Sequence, residues 1–346
     1  MARPDLPVLT QRQLNRALLA RQLLLERSTL SIPEALTQVG GLQTQYAPSA
    51  YVGLWTRLAG FGRDDLTRAL EDRSVVQATL MRSTIHLVAT SDYWPMAVGV
   101  RRARREWATR LPDGALGANA SEAHARTLRA ALGDGPRSVS QLGDMAKGFV
   151  GNIGLWVDLI RVPPGGTWER RRADVLALAE QWVGPETATE EEGLRWLLVS
   201  YLRGFGPAAL RDAASWAGVP ATWLKPAAES LDLRRFRDEA GKELLDLPDA
   251  PVPDEDTPAP VRLLPHWDAN LLVHVRRTGL LPEAHRPGLF NTKRPFSAGV
   301  ILVDGYVVGE WSVQEGHVVP TLYEELSARD RSDVDAEVAA LDAFHQ

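Results

Sequence analysis

One order of elements occurs three times along this chain, and it constrains the fold more than any other feature. In each case a long helix precedes a turn with a helix-capping signal, and a short helix, a second helix and a small hairpin follow. The turns lie at residues 31–36, 138–142 and 206–210. A Ser or a Gly-Pro pair before an apolar run is typical of a helix start. The order predicts an α+β, mainly helical fold with three tandem winged helix-turn-helix modules, which place a helix or a wing against a duplex.

Composition shifts along the chain predict where these modules end. A loop rich in Gly, Ala and Asn occupies residues 112–119, and a Pro- and Asp-rich linker occupies residues 248–260. In the last part of the chain, Asp304-Gly305 lies between alternating apolar residues and predicts a hairpin turn. We therefore place winged-helix modules at 1–115, 116–184 and 185–248, and a linker, a C-terminal β-rich element and an acidic tail helix at 249–346.

Finer elements follow from capping signals and apolar periodicity. A capping box predicts a helix over residues 11–27. Alternating segments at 75–80 and 85–88 predict the paired strands of the first wing. In the second module we expect a helix near residues 154–160 and a strand at 167–170.

Composition and charge limit the classes of function. The chain has 346 residues, no cysteine and a net charge of −5, so disulfides, thiolate nucleophiles and cysteine metal sites are excluded. No apolar run is long enough for a membrane span, and the N-terminus lacks a signal-peptide core, so we expect a cytoplasmic protein. Residues 1–110 carry more arginine than acid, and acidic residues concentrate later. This gradient is compatible with a nucleic-acid groove, but an arginine-rich coding bias produces the same composition.

Two glutamines stand out on the connection between Gly40-Gly41 and Pro48. Gln43 and Gln45 flank one residue, so on an extended segment their side chains point the same way. Two carboxamide oxygens side by side can hold a water molecule without adding a charge. The spacing belongs to no motif with a known mechanism, and ordinary loop amides show it too. On the residues alone, both interpretations stay open.

The remaining polar residues give weaker signals. The seven histidines are scattered without zinc spacing, and neither a phosphate-binding Gly loop nor a serine elbow is present, so we expect no metal and no cofactor. His86 on an alternating strand is typical of a packing or capping histidine. Arg101 and Arg105 belong to an arginine run that forms either a solvated helix face or a phosphate-binding face. Lys293 and Arg294 lie in a segment that either touches a backbone phosphate or is simply a loop.

Five blocks of sequence resemble the AlkZ-type family of bacterial winged-helix DNA glycosylases, which also includes AlkX-like members. Their order covers most of the chain, which makes the match more specific than a glutamine pair alone. The blocks are Gly-Gly-Leu-Gln-Thr-Gln at 40–45, Gly-Leu-Trp-Thr-Arg-Leu at 53–58, Leu-Met-Arg-Ser-Thr-Ile-His-Leu-Val at 80–88, Leu-Leu-Pro-His-Trp-Asp at 263–268, and the segment 286–311.

The resemblance implies three winged helices around a concave DNA-binding face, with Gln43 and Gln45 as the catalytic pair. Some members carry Asp at the second position, whereas Gln45 places this chain with the type associated with bulky N7-alkylguanine lesions and N7-linked interstrand crosslinks. Such enzymes can give antibiotic producers self-resistance. The expected partner is double-stranded DNA with alkylated or crosslinked guanine, bound by a monomer and not at a membrane. Arg82 and His86 become candidate phosphate contacts, and His86 could instead orient the glutamine loop.

The chemistry agrees with that implication. N7-alkylation makes guanine cationic and a good leaving group, so water positioning and tolerance of positive charge remain as the main tasks. Residues 1–110 contain no lysine, which argues against Schiff-base lyase chemistry from the first module. A crosslinked base cannot swing into a deep pocket, so we expect an open groove approached by the first wing and by the Asp304-Gly305 hairpin.

Rival interpretations come from other classes of protein. A non-enzymatic winged-helix regulator, or a resistance protein that sequesters a drug, would have the same modules and charge gradient. It would retain its activity after both glutamines are replaced with alanine. An unrelated hydrolase is a third and weaker alternative, because no motif supports one.

Overall fold

The structure is a computed structural model that describes residues 6–110, 118–143, 145, 155–272, 279–290 and 298–346. Within these ranges, none of the helices combines the length and the apolar character that crossing a bilayer requires. The described helices are mixed with three β-sheets, and all strand pairs except one are antiparallel. The chain therefore has mixed helical and β structure, as the sequence predicts.

The first part of the chain begins with helices whose starts were predicted from capping boxes. The Thr10 side chain accepts a hydrogen bond from the Gln13 N–H. At Ser31 the backbone N–H and the hydroxyl both donate to the Glu34 carboxylate. The first helix is shorter than predicted, because Leu23 has a φ of 57° and turns Leu24 into the core. The helices are α1 (Gln11–Arg21), α2 (Ile32–Val39), α3 (Ala47–Trp55), α4 (Arg63–Glu71) and α5 (Thr90–Ala108).

A six-stranded sheet joins strands from the segments predicted as the first two modules. Its strands are β2 (Leu42–Gln43), β3 (Val75–Thr79), β4 (Ile85–Ala89), β5 (Arg137–Ser138), β6 (Leu159–Arg161) and β7 (Val175–Leu178). They follow the order β2-β4-β3-β6-β7-β5. The paired strands of the first wing, β3 and β4, are confirmed, and β3 also pairs with β6 through Ala78 and Ile160. The first wing is therefore extended across the sheet by strands of the following segment.

Two predictions in this second segment are wrong. Residues 159 and 160 of the predicted helix belong to β6, because Leu159 and Ile160 are buried between β3 and β7, and residue 154 lies outside the described part. Residues 167–170 form a turn closed by N–H groups that donate to the Arg170 carbonyl, and the strand occurs later, as β7. Periodicity cannot distinguish a short apolar run in a sheet from one in a helix. The helices here are α6 (Ala118–Ala131), α7 (Val139–Leu142) and α8 (Ala179–Trp182).

The third segment packs directly against α5. Its elements were predicted and are found as α9 (Glu190–Phe205), α10 (Leu210–Ala217), α11 (Ala221–Ser230) and the hairpin β8 (Arg234–Asp238) and β9 (Glu243–Asp246). A parallel strand β1 (Val8–Leu9) extends this hairpin. Helices α5 and α9 touch at Gly99 and Gly193, where a methyl group placed on Gly193 would lie 2.6 Å from the Gly99 nitrogen. Their backbones are therefore in direct contact.

The C-terminal part forms a four-stranded antiparallel sheet, where the sequence predicted a β-rich element. Its elements are β10 (Arg262–Leu264), α12 (Ala269–Leu272), α13 (Arg286–Leu289), β11 (Gly299–Val303), β12 (Tyr306–Gln314), β13 (His317–Leu322) and α14 (Ala328–His345). The Asp304-Gly305 turn joins β11 and β12, with φ values of 48° and 82°. Asp304 pairs with Arg12 and Arg16, and the Asn15 amide donates to the Gly305 carbonyl at 2.8 Å. The turn is thus docked on α1, and its approach to the duplex stays a prediction.

Candidate active site

The glutamine pair lies at one edge of the six-stranded sheet. Helix α2 ends at Gly40, whose φ is 78°, and Gly41 at 82° returns the chain alongside β4. A methyl group on Gly41 would lie 3.1 Å from the Leu87 carbonyl oxygen, so the close approach of the two segments requires glycine there. The turn brings Gln43 directly opposite His86 in the antiparallel ladder. Strand β2 therefore fixes the position of the first glutamine.

Both carboxamide oxygens are held by groups that can only donate. The Arg82 Nη2 donates to Gln43 Oε1 at 3.3 Å, and the Ile85 backbone N–H donates to Gln45 Oε1 at 3.0 Å. Neither donor can accept a hydrogen bond, so the amide orientation follows from chemistry. Each oxygen keeps a second lone pair for a water molecule. Gln43 is buried and Gln45 is exposed, so the pair spans the boundary between the interior and the surface.

Arg82 connects this loop to the third segment. It lies in the tight turn between β3 and β4, where Arg82 and Ser83 have φ values of 52° and 59°. Its Nη1 donates to the Trp216 carbonyl, and Gly218 gives its side chain room. Burial lowers the pKa of Arg82 to about 10, which leaves it charged at neutral pH. Both terminal nitrogens have partners within the protein, so the arginine predicted to contact DNA holds Gln43 in this structure.

His86 is buried, with 2 % of its surface exposed. Its Nδ1 lies 3.0 Å from the Thr84 carbonyl oxygen, which can only accept, so Nδ1 carries the proton. Burial, and next the nearby charge of Arg82, lower the pKa of His86 to about 3. The imidazole is therefore neutral at physiological pH, and it offers an Nε2 lone pair rather than a cation to its surroundings. This favours the orienting role over the phosphate contact.

The shifted pKa of His86 has a measurable consequence for stability. A histidine whose pKa falls from about 6.5 in the unfolded chain stabilises the fold fully above that pH, and this contribution is lost as the pH falls. The wild-type free energy of unfolding should drop through this group by about 2–3 kcal/mol between pH 6.5 and 4.5. His86→Gln should show a shallower dependence in urea titrations over this window. The exposed His124→Gln is the control, and equal slopes for both variants would contradict the buried neutral state.

The other predicted DNA contacts lie elsewhere. Arg101 pairs with Asp158 at 3.0 Å and with Glu186, and the Arg105 Nε donates to the Leu155 carbonyl at 3.2 Å. Both side chains therefore have partners in the second segment, and their contact with DNA stays a prediction. Lys293 and Arg294 lie outside the described residues.

Several residues at the site were missed from the sequence. Arg104 is buried and donates to the Thr79 carbonyl, and Arg161 reaches the Thr79 hydroxyl at 3.4 Å, so two further cations lie behind the β3 end. Their contacts join distant parts of the chain and left no local signal. Tyr46 follows Gln45 directly and is 41 % exposed. Its place in the sequence beside the glutamine pair could have marked it as a residue of the site. Among the described residues, no group of three or more His, Cys, Asp or Glu could hold a metal ion.

The chain resembles known proteins in its fold and in its sequence family. The chain is similar to the Streptomyces sahachiroi DNA glycosylase AlkZ, with a TM-score of 0.81 at 18 % sequence identity, over 98 % of this chain and 97 % of that one. At this identity the likeness shows a common fold. No curated protein sequence matches the chain. The family model for DNA glycosylase AlkZ-like proteins matches residues 36–344, a range that includes the glutamine pair and most of the chain. The chain therefore belongs to the AlkZ-like family of DNA glycosylases.

Proposed function

We propose that this DNA glycosylase hydrolyses the N-glycosidic bond of bulky, cationic N7-alkylguanine and unhooks N7-linked interstrand crosslinks. The observation that carries the proposal is the pair of anchored carboxamides at Gln43 and Gln45. Each carboxamide oxygen accepts one hydrogen bond, Gln43 from Arg82 and Gln45 from the Ile85 N–H, and keeps one lone pair. A water molecule bound between those lone pairs would be oriented before the substrate arrives, which is where such sites gain most of their rate.

The reaction needs little acid help. The oxygen of the water bonds to C1′ while the C1′–N9 bond breaks, and the electron pair of that bond neutralises the cationic purine as it leaves. The proton of the water passes to the solvent. Neutral carboxamides tolerate the positive charge that develops on the sugar, whereas an uncharged purine would require a general acid and a carboxylate. We therefore infer selectivity for lesions that carry a positive charge before reaction.

We also infer that the enzyme has no lyase activity. Schiff-base chemistry requires a lysine near C1′, and none of the four lysines lies in residues 1–110, where both glutamines are found. Lys242 is paired with Asp212 at 2.9 Å in the third segment. A monofunctional hydrolase that leaves an intact abasic site is the mechanism that these residues support.

The proposal extends to the organisation and setting of the molecule. We propose that it binds duplex DNA as a monomer in the cytoplasm, at the nucleoid, through three winged-helix modules at residues 1–115, 116–184 and 185–248, with the segment 249–346 as the β-rich addition. A groove without a deep base pocket suits a guanine that is tied to both strands. Protection of the producer of a DNA-alkylating natural product is the biological role that this substrate suggests.

The test is a comparison of substrates with the wild-type protein. Duplexes that carry N7-methylguanine, an N7-linked interstrand crosslink or neutral hypoxanthine are incubated separately, and base release is measured by chromatography. We expect release from both cationic substrates, none from hypoxanthine, and no borohydride-trapped protein–DNA adduct. Equal release of hypoxanthine would contradict the charge selectivity. Tight duplex binding without any base release would indicate a sequestering protein instead of a hydrolase.

A further inference from the structure

A cleft opens one residue beyond the glutamine pair. Its volume is about 450 Å³, within the range of small-molecule sites, and it lies between α3, the 167–170 turn and β12. Tyr46 forms one wall directly after Gln45, and consecutive Cα atoms are about 3.8 Å apart. The cleft therefore begins one residue along the chain from Gln45, and the reaction as proposed makes no use of it.

The walls of the cleft are mostly aromatic. Trp168 and Trp311 are buried to more than nine-tenths, and His266 lies edge-on to both Tyr46 and Trp311, with ring centroids 6.2 and 5.4 Å away. Arg171 donates to the Tyr46 hydroxyl at 3.0 Å, which fixes the position of the tyrosine ring. Flat walls of this kind favour a planar ring, which can contact them by stacking or edge-on.

One buried polar group in the cleft makes no hydrogen bond with the described part of the protein. Ser49 is 3 % exposed, and among the described residues nothing hydrogen-bonds its Oγ. Buried hydroxyls nearly always have a partner, so the hydroxyl indicates a polar atom supplied from outside. Together with the guanidinium of Arg171, it suits a ligand that carries an oxygen.

The charges around the cleft disfavour a cationic ligand. Burial lowers the pKa of His266, and it also lowers the pKa of His345, aided by the charges of Arg63 and Arg171. Arg63 itself lies over the Trp168 ring at 5.0 Å. A site that keeps its histidines neutral and already contains guanidinium groups disfavours another positive charge. The cationic purine therefore belongs beside the glutamines and not in the cleft.

We propose that the cleft binds a neutral, planar, oxygen-bearing ring system carried by the N7 substituent of the damaged guanine. The inference rests on the proposed function, and it names the class of adduct that the enzyme prefers. The cationic base stays at Gln43 and Gln45, and its appendage extends past Tyr46 between Trp168 and Trp311. Binding of the ring then contributes to recognition of the substrate rather than to the chemical step.

The test blocks the cleft without removing a wall. Val313 lines its rim and is 47 % exposed, so Val313→Trp adds a ring there. Val8 on β1 is 60 % exposed and does not line the cleft, so Val8→Trp is the control. Release is compared for duplexes that carry N7-methylguanine and N7-(coumarinylmethyl)guanine. We expect Val313→Trp to raise KM for the coumarin adduct by about 10-fold and to leave N7-methylguanine within about twofold.

Free coumarin provides a readout that does not depend on catalysis. Titration of the full-length protein with coumarin, followed through the tryptophan fluorescence, should show saturable binding that Val313→Trp abolishes and Val8→Trp retains. No saturable binding, or an unchanged preference for the coumarin adduct in Val313→Trp, would overturn the inference. Loss of all base release by the wild type would contradict the proposed function instead. In that case, coumarin binding would assign the cleft to a free small molecule and would also overturn the adduct subsite.

Discussion

Replacing Gln43 and Gln45 together with alanine should lower the rate of N7-methylguanine release by about 100-fold or more, the usual effect of removing an oriented polar group from a reacting centre. The double substitution removes both oxygens that are held by Arg82 and the Ile85 N–H. Single-turnover release from a duplex measures the chemical step, and fluorescence anisotropy measures duplex affinity. Affinity should change by less than about twofold, because neither glutamine adds charge to the DNA-binding surface.

A matched control separates the role of these amides from a general effect of losing a glutamine. Gln181 is exposed, and its Nε2 donates to the Gly133 carbonyl at 2.9 Å, so Gln181→Ala also removes a hydrogen-bonded carboxamide. It should release base at the wild-type rate. Full activity of the Gln43→Ala/Gln45→Ala protein would show that the two glutamines are ordinary loop amides, and it would contradict the proposed mechanism.

Substitution of Arg82 with lysine should lower kcat by about 10- to 100-fold, the loss expected when a catalytic group shifts by a fraction of an ångström to an ångström. Lysine keeps the positive charge, but its single nitrogen cannot serve both the Trp216 carbonyl and Gln43 Oε1 as the guanidinium does. Gln43 would then lose the donor that fixes its amide. Steady-state kinetics on N7-methylguanine duplexes, read as kcat and KM separately, measure the effect.

The salt dependence of duplex binding distinguishes this positioning role from a phosphate contact. If Arg82 binds phosphate, Arg82→Gln should weaken duplex affinity and reduce the slope of log K against log salt by about one. If it positions Gln43, Arg82→Gln should leave both quantities unchanged and lower only kcat. Arg110→Lys, at an exposed arginine near the end of α5, is the control and should leave kcat at the wild-type value.

The elements that could be predicted from the sequence are those determined by interactions between neighbouring residues. The capping boxes at Thr10, Ser31 and Ser138 each join residues three apart, and all three helices begin where these signals place them. Strand β6 depends on its pairing with β3, some eighty residues earlier, and no pattern within residues 159–161 reports that partner. The helix predicted there was wrong for this reason.

The site shows the same contrast between local and long-range interactions. Gln43 and Gln45 are two residues apart, and their shared position could be inferred from an extended segment. The guanidinium that holds Gln43 comes from Arg82, which in turn depends on Trp216, far along the chain. A contact of this kind is set by the packing of the third segment on the first. From the sequence, Arg82 could only be assigned by its charge, which suggested phosphate.

The backbone contact between Gly99 and Gly193 has a consequence for how the enzyme meets its substrate. No side chains separate α5 and α9 at this contact. A slide or rotation of one helix against the other would therefore bring their backbone atoms into a clash. Helix α5 belongs to the first segment and α9 to the third, and these two segments also carry the two ends of the Arg82 bridge. This contact disfavours closure of the two segments around a damaged duplex, so we expect bending to occur in the DNA. Lesions that soften the helix would be engaged at a lower energetic cost than intact sequence, before any base is recognised.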